Sequence, residues 1–332
     1  MVPGRDARYP QLEFSRRSFL AALSAASAAA APESGGGPIP IIDTHLHLYD
    51  PKRPQGVPYP KVPNPPQALP WMYREDVTPL GIVGGIKVEA SPWIEDNLWV
   101  LEAIKDEPII VGMIGNIDPT KPEFPQYLER YHRNKLFLGI RYGNVWEEDS
   151  LVEAVKSPAF IANMKTFAQT GLTLEVANPR FDLMEATIRL TDKVPELRVV
   201  VGHLQALPLP TDTAVMKSYS ANLRELRSRK AFAKVSGLPK PGAGQTQWDA
   251  ASYKPMLDFI WDIFGDDFIV FAAGWSRMPG QPTPIERMKR NIDVFRSYAR
   301  ARGRAAEEKF FWQNSVRAFR WVRRDQKQPQ LT

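Results

Sequence analysis

Three of the chain's four histidines stand where imidazoles can work together. They are His45 and His47, in Asp43-Thr44-His45-Leu46-His47, and His203, which ends the run Leu197 to His203. Side chains two residues apart in a strand share a face, so Asp43, His45 and His47 are expected to point one way and Thr44 and Leu46 the other. A neutral imidazole pair at that spacing could hold a divalent ion between His45 and His47. It could equally serve as acid, base and hydrogen-bond donor to a carbonyl. The carboxylates able to activate water are Glu89, Glu175 and Asp43, and Arg141 offers a planar fork for an anionic substrate group. Trp275 could add an apolar wall. Glu175 and Lys234 both lie in apolar runs where a lone charge is costly, so a buried pair between them is the expected alternative to a catalytic Glu175. His132, in Glu129-Arg130-Tyr131-His132, reads as a surface residue. The chain has no cysteine, which excludes thiolate zinc sites, thiol nucleophiles and disulfides.

These groups can meet only if strand ends bring them together. After Pro38 the sequence gives eight short apolar or β-branched runs: Pro40 to His47, Gly81 to Ala90, Ile109 to Ile117, Leu136 to Tyr142, Leu172 to Ala177, Leu197 to His203, Ala231 to Gly237 and Phe268 to Gly274. Helical spacing separates them, beginning at Pro92 with Ser91 as N-cap and continuing near 158 to 169, 181 to 193, 215 to 229, 252 to 264, 284 to 302 and 306 to 322. Strands alternating with helices predict a parallel sheet, and eight such units predict a (β/α)8 TIM barrel with its working groups at the C-terminal strand ends. An open doubly wound sheet would carry a glycine-rich loop after its first strand, and none follows Asp43. Eight prolines crowd residues 51 to 70, directly after the first strand. That stretch is expected to form a stiff covering over the mouth.

At this point the sequence resembles a known family. DTHLHLYDP at 43 to 51 is similar to the opening motif of the amidohydrolase superfamily, in its amidohydrolase-2 branch, nearest the sugar-lactone and 2-pyrone-4,6-dicarboxylate lactonases. IIVGMIGNIDP at 109 to 119, FLGIRYG at 137 to 143, PELRVVVGHLQALP at 195 to 208 and FFWQNSVRAFRW at 310 to 321 carry the likeness through the chain. The resemblance implies a distorted barrel of the metal-dependent-hydrolase kind that opens a cyclic ester or related carboxylic-acid derivative. In it His45, His47 and His203 would polarise the carbonyl. It also implies a strand-8 aspartate, within a glycine-serine-aspartate-tryptophan-proline run, that activates water or binds metal. Here the matching run is Ala272-Ala273-Gly274-Trp275-Ser276, so glycine stands at the carboxylate's place. Asp266 and Asp267 precede the strand and fall at its far end. Three readings follow: a hydrolase of a small anionic lactone or carboxylate, with no certain cofactor beyond a single divalent ion such as zinc; a ligand-binding barrel that has lost its base; or a metal-dependent decarboxylase.

The ends of the chain are read separately. Ser15-Arg16-Arg17-Ser18-Phe19-Leu20 followed by Ala- and Ser-rich sequence resembles a twin-arginine signal, which assigns 1 to 31 to an export leader and the mature protein to the periplasm or the exterior. Residues 32 to 39 read as a flexible linker, 40 to 322 as the barrel and 323 to 332 as a polar tail. The formal charge of +6 resides in the ends: the leader carries +2 and residues 300 to 332 carry +6, leaving the middle slightly acidic. No nucleic-acid motif accompanies that charge, so the expected partners are a small molecule and the export machinery.

Overall fold

A computed structural model describes residues 37–143, 146, 150–177, 180–204, 210–239, 248–279 and 284–331. The twin-arginine stretch lies outside the described residues. Among them no helix is long and apolar enough to cross a membrane. Eight parallel strands run in sequence order: β1 Ile41–Leu46, β2 Ile82–Val88, β3 Ile110–Gly115, β4 Phe137–Arg141, β5 Thr173–Val176, β6 Arg198–Val201, β7 Phe232–Ser236 and β8 Ile269–Ala272. Each falls inside its expected run. The chain is a (β/α)8 barrel, and its seam between β8 and β1 is closed partly by side chains. Thr44 Oγ1 donates to the Phe271 carbonyl at 2.7 Å, and the Ala273 amide donates to Asp43 Oδ1 at 2.7 Å. A parallel bridge between Leu46 and Trp275 completes it.

Two apolar layers hold the barrel. Ile42, Ile86, Val200 and Val270 fill its interior, while Ile41, Leu46, Ile110 and Ile269 pack outward beneath the helices. The helices begin where polar caps allow. Ser157 accepts from the Phe160 amide and Pro158 takes the first turn of Pro158–Gln169, an arrangement that suits proline because its missing N–H would be unpaired there anyway. Asp212 and Asp249 cap Thr213–Ser228 and Ala250–Phe264, which therefore start two residues before the apolar periodicity suggests. The helix expected from Pro92 begins instead at Asp96 and runs to Ile104 (α2). Ser91 Oγ accepts from the Trp93 amide at 3.1 Å, and Asn116 donates to the Trp93 carbonyl at 3.2 Å, which holds those residues in a turn. Three described helices escape the periodicity reading: Pro70–Val77 (α1), following the proline-rich stretch, Phe124–Tyr131 and Leu151–Ala154. The helix expected over 306 to 322 is broken by a π-helical turn at Lys309–Gln313.

The C-terminal segment closes the N-terminal end of the barrel. Phe319 and Trp321 join the interior layer with Ile42 and Val270, and Thr173 Oγ1 donates to the Ala318 carbonyl at 2.8 Å. Beyond them Arg324 Nη1 donates to the carbonyls of Ile104 and Ile110 at 3.0 and 2.6 Å. Gln328 Nε2 donates to those of Val83 and Pro108 at 3.1 and 2.8 Å, and Gln328 is buried. The polar residues after 322 thus satisfy backbone groups at the strand starts.

Candidate functional site

β1 does not keep simple alternation. Asp43 pairs with Gly85 and Leu46 with Lys87, so three steps on β1 match two on β2 and a bulge lies between them. A bulge inserts one residue and shifts the faces beyond it. Asp43 therefore parts company with His45 and His47, contrary to the strict two-residue reading. Its carboxylate turns toward α1, accepting from Tyr73 Oη at 3.1 Å and from the His45 amide at 2.9 Å, besides the seam bond to Ala273. Burial pushes its pKa up to about 6 against those bonds. Every favourable contact of Asp43 is structural, which removes it as a base at the mouth.

The three imidazoles do come together. Ring centroids of His45 and His47 lie 4.8 Å apart, and those of His45 and His203 lie 4.5 Å apart. The hydrogen-bond chain fixes their protons. His47 Nδ1 sits 3.1 Å from the Val88 carbonyl, which can only accept, so Nδ1 carries the hydrogen. His47 Nε2 then offers a lone pair, and the 3.0 Å contact makes His45 Nε2 the donor. That leaves His45 Nδ1 bare and buried, with no partner among the described residues. His203 is held at φ +55°, a left-handed backbone, with Nδ1 2.6 Å from Ser236 Oγ. All three are kept neutral. Burial, then the charge of Arg141, holds His47 and His203 down to about 3, and burial followed by its neighbour His203 holds His45 well below the ordinary range.

Below them lies a buried ion network. Glu175 Oε1 accepts from Arg141 Nε and Nη2 at 3.2 and 2.6 Å, and Oε2 accepts from Lys234 Nζ. Lys234 also donates to the Thr44 carbonyl at 2.7 Å. Glu175 is fully buried, and desolvation is overcome by the two cations, which bring its pKa down to about 2. Glu89 lies to one side, 3% exposed. Its Oε2 accepts from the Ser91 amide and Trp146 Nε1, both at 3.2 Å, while Oε1 has no hydrogen-bond partner among the described residues and lies 3.9 Å from Arg141 Nη1. Burial raises the Glu89 pKa.

Trp275 does not line the mouth. Its ring is fully buried against Tyr73, and Nε1 donates to Asp76 of α1 at 2.9 Å. The bridge to Leu46 draws it outward into the helix layer. The proline-rich stretch supplies an aromatic instead, one that no motif or spacing singles out. Paired amides and carbonyls of Tyr49 and Ala68 pinch the loop's ends together, and Tyr59 within it sits 4.9 Å from the His47 ring. This is an Ω-loop laid over the imidazoles.

The donor set does not complete a metal site. His45 and His47 present two Nε2 atoms to each other, but both oxygens of Glu175 are occupied, Gly274 stands in place of the strand-8 carboxylate, and Arg141 and Lys234 press positive charge on the imidazoles. Among the described residues no three His, Asp or Glu side chains are grouped to hold an ion. Gly274 itself lies at φ +69° with open space around an added Cβ. A carboxylate there would start from a left-handed backbone, at a cost of about 1 kcal/mol, and would leave in a direction an ordinary strand end does not give. Gly274→Asp is accordingly expected to leave hydrolytic kcat/KM within about twofold, since no general base is gained. A tenfold rise would show that the position accepts a working base.

An eight-stranded parallel barrel with its imidazoles gathered at the C-terminal strand ends defines a (β/α)8 protein. The Amidohydrolase family model matches residues 42–321, and the chain belongs to that family. Among solved structures it is similar to an amidohydrolase from Burkholderia multivorans with bound zinc, at 18% identity and TM-score 0.68, covering 85% of this chain and 100% of that one. It is also similar to a probable 2-pyrone-4,6-dicarboxylic acid hydrolase from Acinetobacter baumannii with citric acid bound, at 15% identity and TM-score 0.64, covering 85% and 99%. A related putative hydrolase from Pseudomonas putida matches at 14% identity and TM-score 0.60, covering 85% and 97%. At such identities the likeness is one of fold. No curated protein sequence matches the chain.

Proposed function

We propose that the protein hydrolyses a small anionic lactone or related carboxylic-acid ester without a resident metal, with Glu89 as the general base. The observation that carries this is the state of Glu89: one oxygen is held by two donors, the other is bare and buried beside Arg141, and the pKa is raised. Such a carboxylate is oriented and has proton affinity to spare. It takes a proton from water as the water oxygen bonds to the ester carbon. Charge developing on the carbonyl oxygen meets His203, whose Nε2 bears the hydrogen when Ser236 donates to Nδ1, together with the Arg141 guanidinium. Collapse breaks the carbon–oxygen bond to the leaving alkoxide, and Glu89 returns its proton there. His45 and His47 form a neutral acceptor pair that shapes the pocket.

A pH-stat panel of carboxylated lactones and esters tests the reading, run with and without chelator. Turnover should be unaffected by chelator, and Glu89→Gln should lower kcat at least about 10²-fold. Full activity in Glu89→Gln sinks the assignment; chelator-sensitive turnover would favour a metal enzyme, and binding without turnover a ligand-binding barrel. Family membership and hydrolase-named structural neighbours support the reaction class. Export through the twin-arginine leader is a further proposal, resting on Arg16 and Arg17. Replacing both with lysine should hold the precursor in the cytoplasm, and unchanged export would refute it.

A further inference from the structure

The groups that a ligand must reach are shut in. His45, Glu89 and Arg141 are 2, 3 and 7% exposed, and Tyr59 of the Ω-loop lies on His47. The cover itself is lightly held. Between residues 51 and 67 only Pro60 is buried, and the amides of Arg53, Gly56 and Val62 donate within the loop, to the carbonyls of Asp50, Arg53 and Pro60. Segments with few buried apolar residues open before the core does. Prolines stiffen this one, so it is built to move as a single piece about the paired Tyr49 and Ala68 at its neck.

An ion pair fastens the loop to α2. Arg53 Nη2 donates to Asp96 Oδ1 at 2.5 Å, both side chains nearly buried, and the guanidinium lies 4.6 Å over the Trp99 ring. Lys87 of β2 borders the same small void as Arg53, Asp96 and Trp99. Burial brings Lys87 down to about 8; Glu89 and then Asp96 hold it up, while Arg141 and Arg53 press it down. Asp96 thus serves two cations, one on the loop and one in the barrel wall. Pulling Arg53 away would ordinarily strand a buried carboxylate, which is a costly state. Here Lys87 remains as its counter-charge, and the repulsion between Lys87 and Arg53 is relieved. We propose that the Ω-loop is a lid over the imidazoles, latched by Arg53 on Asp96 and released at low cost because Lys87 stays behind as the partner of Asp96. Such a lid governs access whatever ligand enters, and its opening can be measured apart from the hydrolase reading.

Diethyl pyrocarbonate reads the opening, because it modifies the neutral imidazoles it can reach. In the purified full chain the part-exposed His132, beside Glu129, is the internal standard, and mass spectrometry of the peptides gives each histidine's rate. Asp96→Asn and Arg53→Met should each speed modification of His45 and His47 at least about tenfold relative to His132, as the closed state loses a charged hydrogen bond. Lys87→Met should instead slow it about fivefold, since opening then strands Asp96. The opposite sign separates a latch from general loosening, which would speed all three variants, and urea midpoints show how much of any rate comes from global unfolding. Unchanged rates in Asp96→Asn and Arg53→Met, or a rate in Lys87→Met that fails to fall at an unchanged urea midpoint, overturn the proposal. Should Lys87→Met fail to fold, Lys87→Gln takes its place under the same expectation.

Discussion

Glu175→Gln is expected to lower the unfolding free energy by about 3 to 5 kcal/mol, the scale on which one partner is removed from a buried ion network. The carboxylate is fully buried and divides its two oxygens between Arg141 and Lys234. Without it Lys234 loses its ion-pair partner and Arg141 keeps only Glu89 at 3.9 Å, and neither cation can reach solvent. Lys234 is already brought down to about 8, chiefly by burial, with Glu175 as the largest opposing influence. Removing Glu175 favours loss of its proton. Urea denaturation gives the number. The double variant Glu175→Gln, Lys234→Met should recover part of the loss, because a neutral pair needs no compensation. A cost under about 1 kcal/mol for Glu175→Gln, the range of an exposed pair, would mean the network does not hold the barrel together.

Acid should undo the fold well before carboxylates titrate in bulk. In the unfolded chain imidazoles gain protons near 6.5. In the folded protein His47 and His203 resist until about 3, and His45 is held well below its ordinary value. Between those limits the unfolded chain binds more protons, so stability is full above 6.5 and falls as pH drops through it. At pH 5 His47 and His203 each cost about 2 kcal/mol relative to pH 7, and His45 acts in the same direction. Asp43 works the other way: raised to about 6, it is protonated in the folded state first and returns about 1 kcal/mol over the same interval. Glu89, also raised by burial, shares that sign. Lys87 and Lys234, both near 8, and Glu175, near 2, titrate outside the window. His47, His203 and Asp43 together give a net loss of roughly 3 kcal/mol from pH 7 to 5, to which His45 adds and from which Glu89 subtracts. Denaturation midpoints at pH 7, 6 and 5 check it, with His203→Asn expected to return about 2 kcal/mol of the loss. A pH-independent midpoint would mean that the imidazoles ionise freely in the folded protein.

The barrel was legible because its evidence is periodic. Each strand from β1 to β8 is an apolar run bounded by breakers, and spacing alone located His45, His47 and His203 at strand ends. What spacing could not show was the bulge after Asp43, since a single inserted residue leaves the hydrophobic pattern intact while turning a carboxylate to the opposite face. Trp275 was misplaced for a related reason: its bridge to Leu46 continues the sheet beyond β8, and a strand that runs on carries its side chains outward. Lys87 left a trace that could have been followed, a lysine amid the apolar run Gly81 to Ala90 with Glu89 two residues on. Tyr59 left none, because its contact with His47 depends on the path of a loop whose prolines fix local stiffness but not destination.

The plug formed by Phe319 and Trp321 sets an order on the protein's making. Synthesis makes β1 long before these residues, yet Ile42 of β1 packs in one cluster with them. Until they are made, the nascent sheet has an open floor. It must be shielded or must wait. The barrel's interior is therefore finished only once Phe319 and Trp321 have been made, and a chain cut short before them has all eight strands and no finished interior.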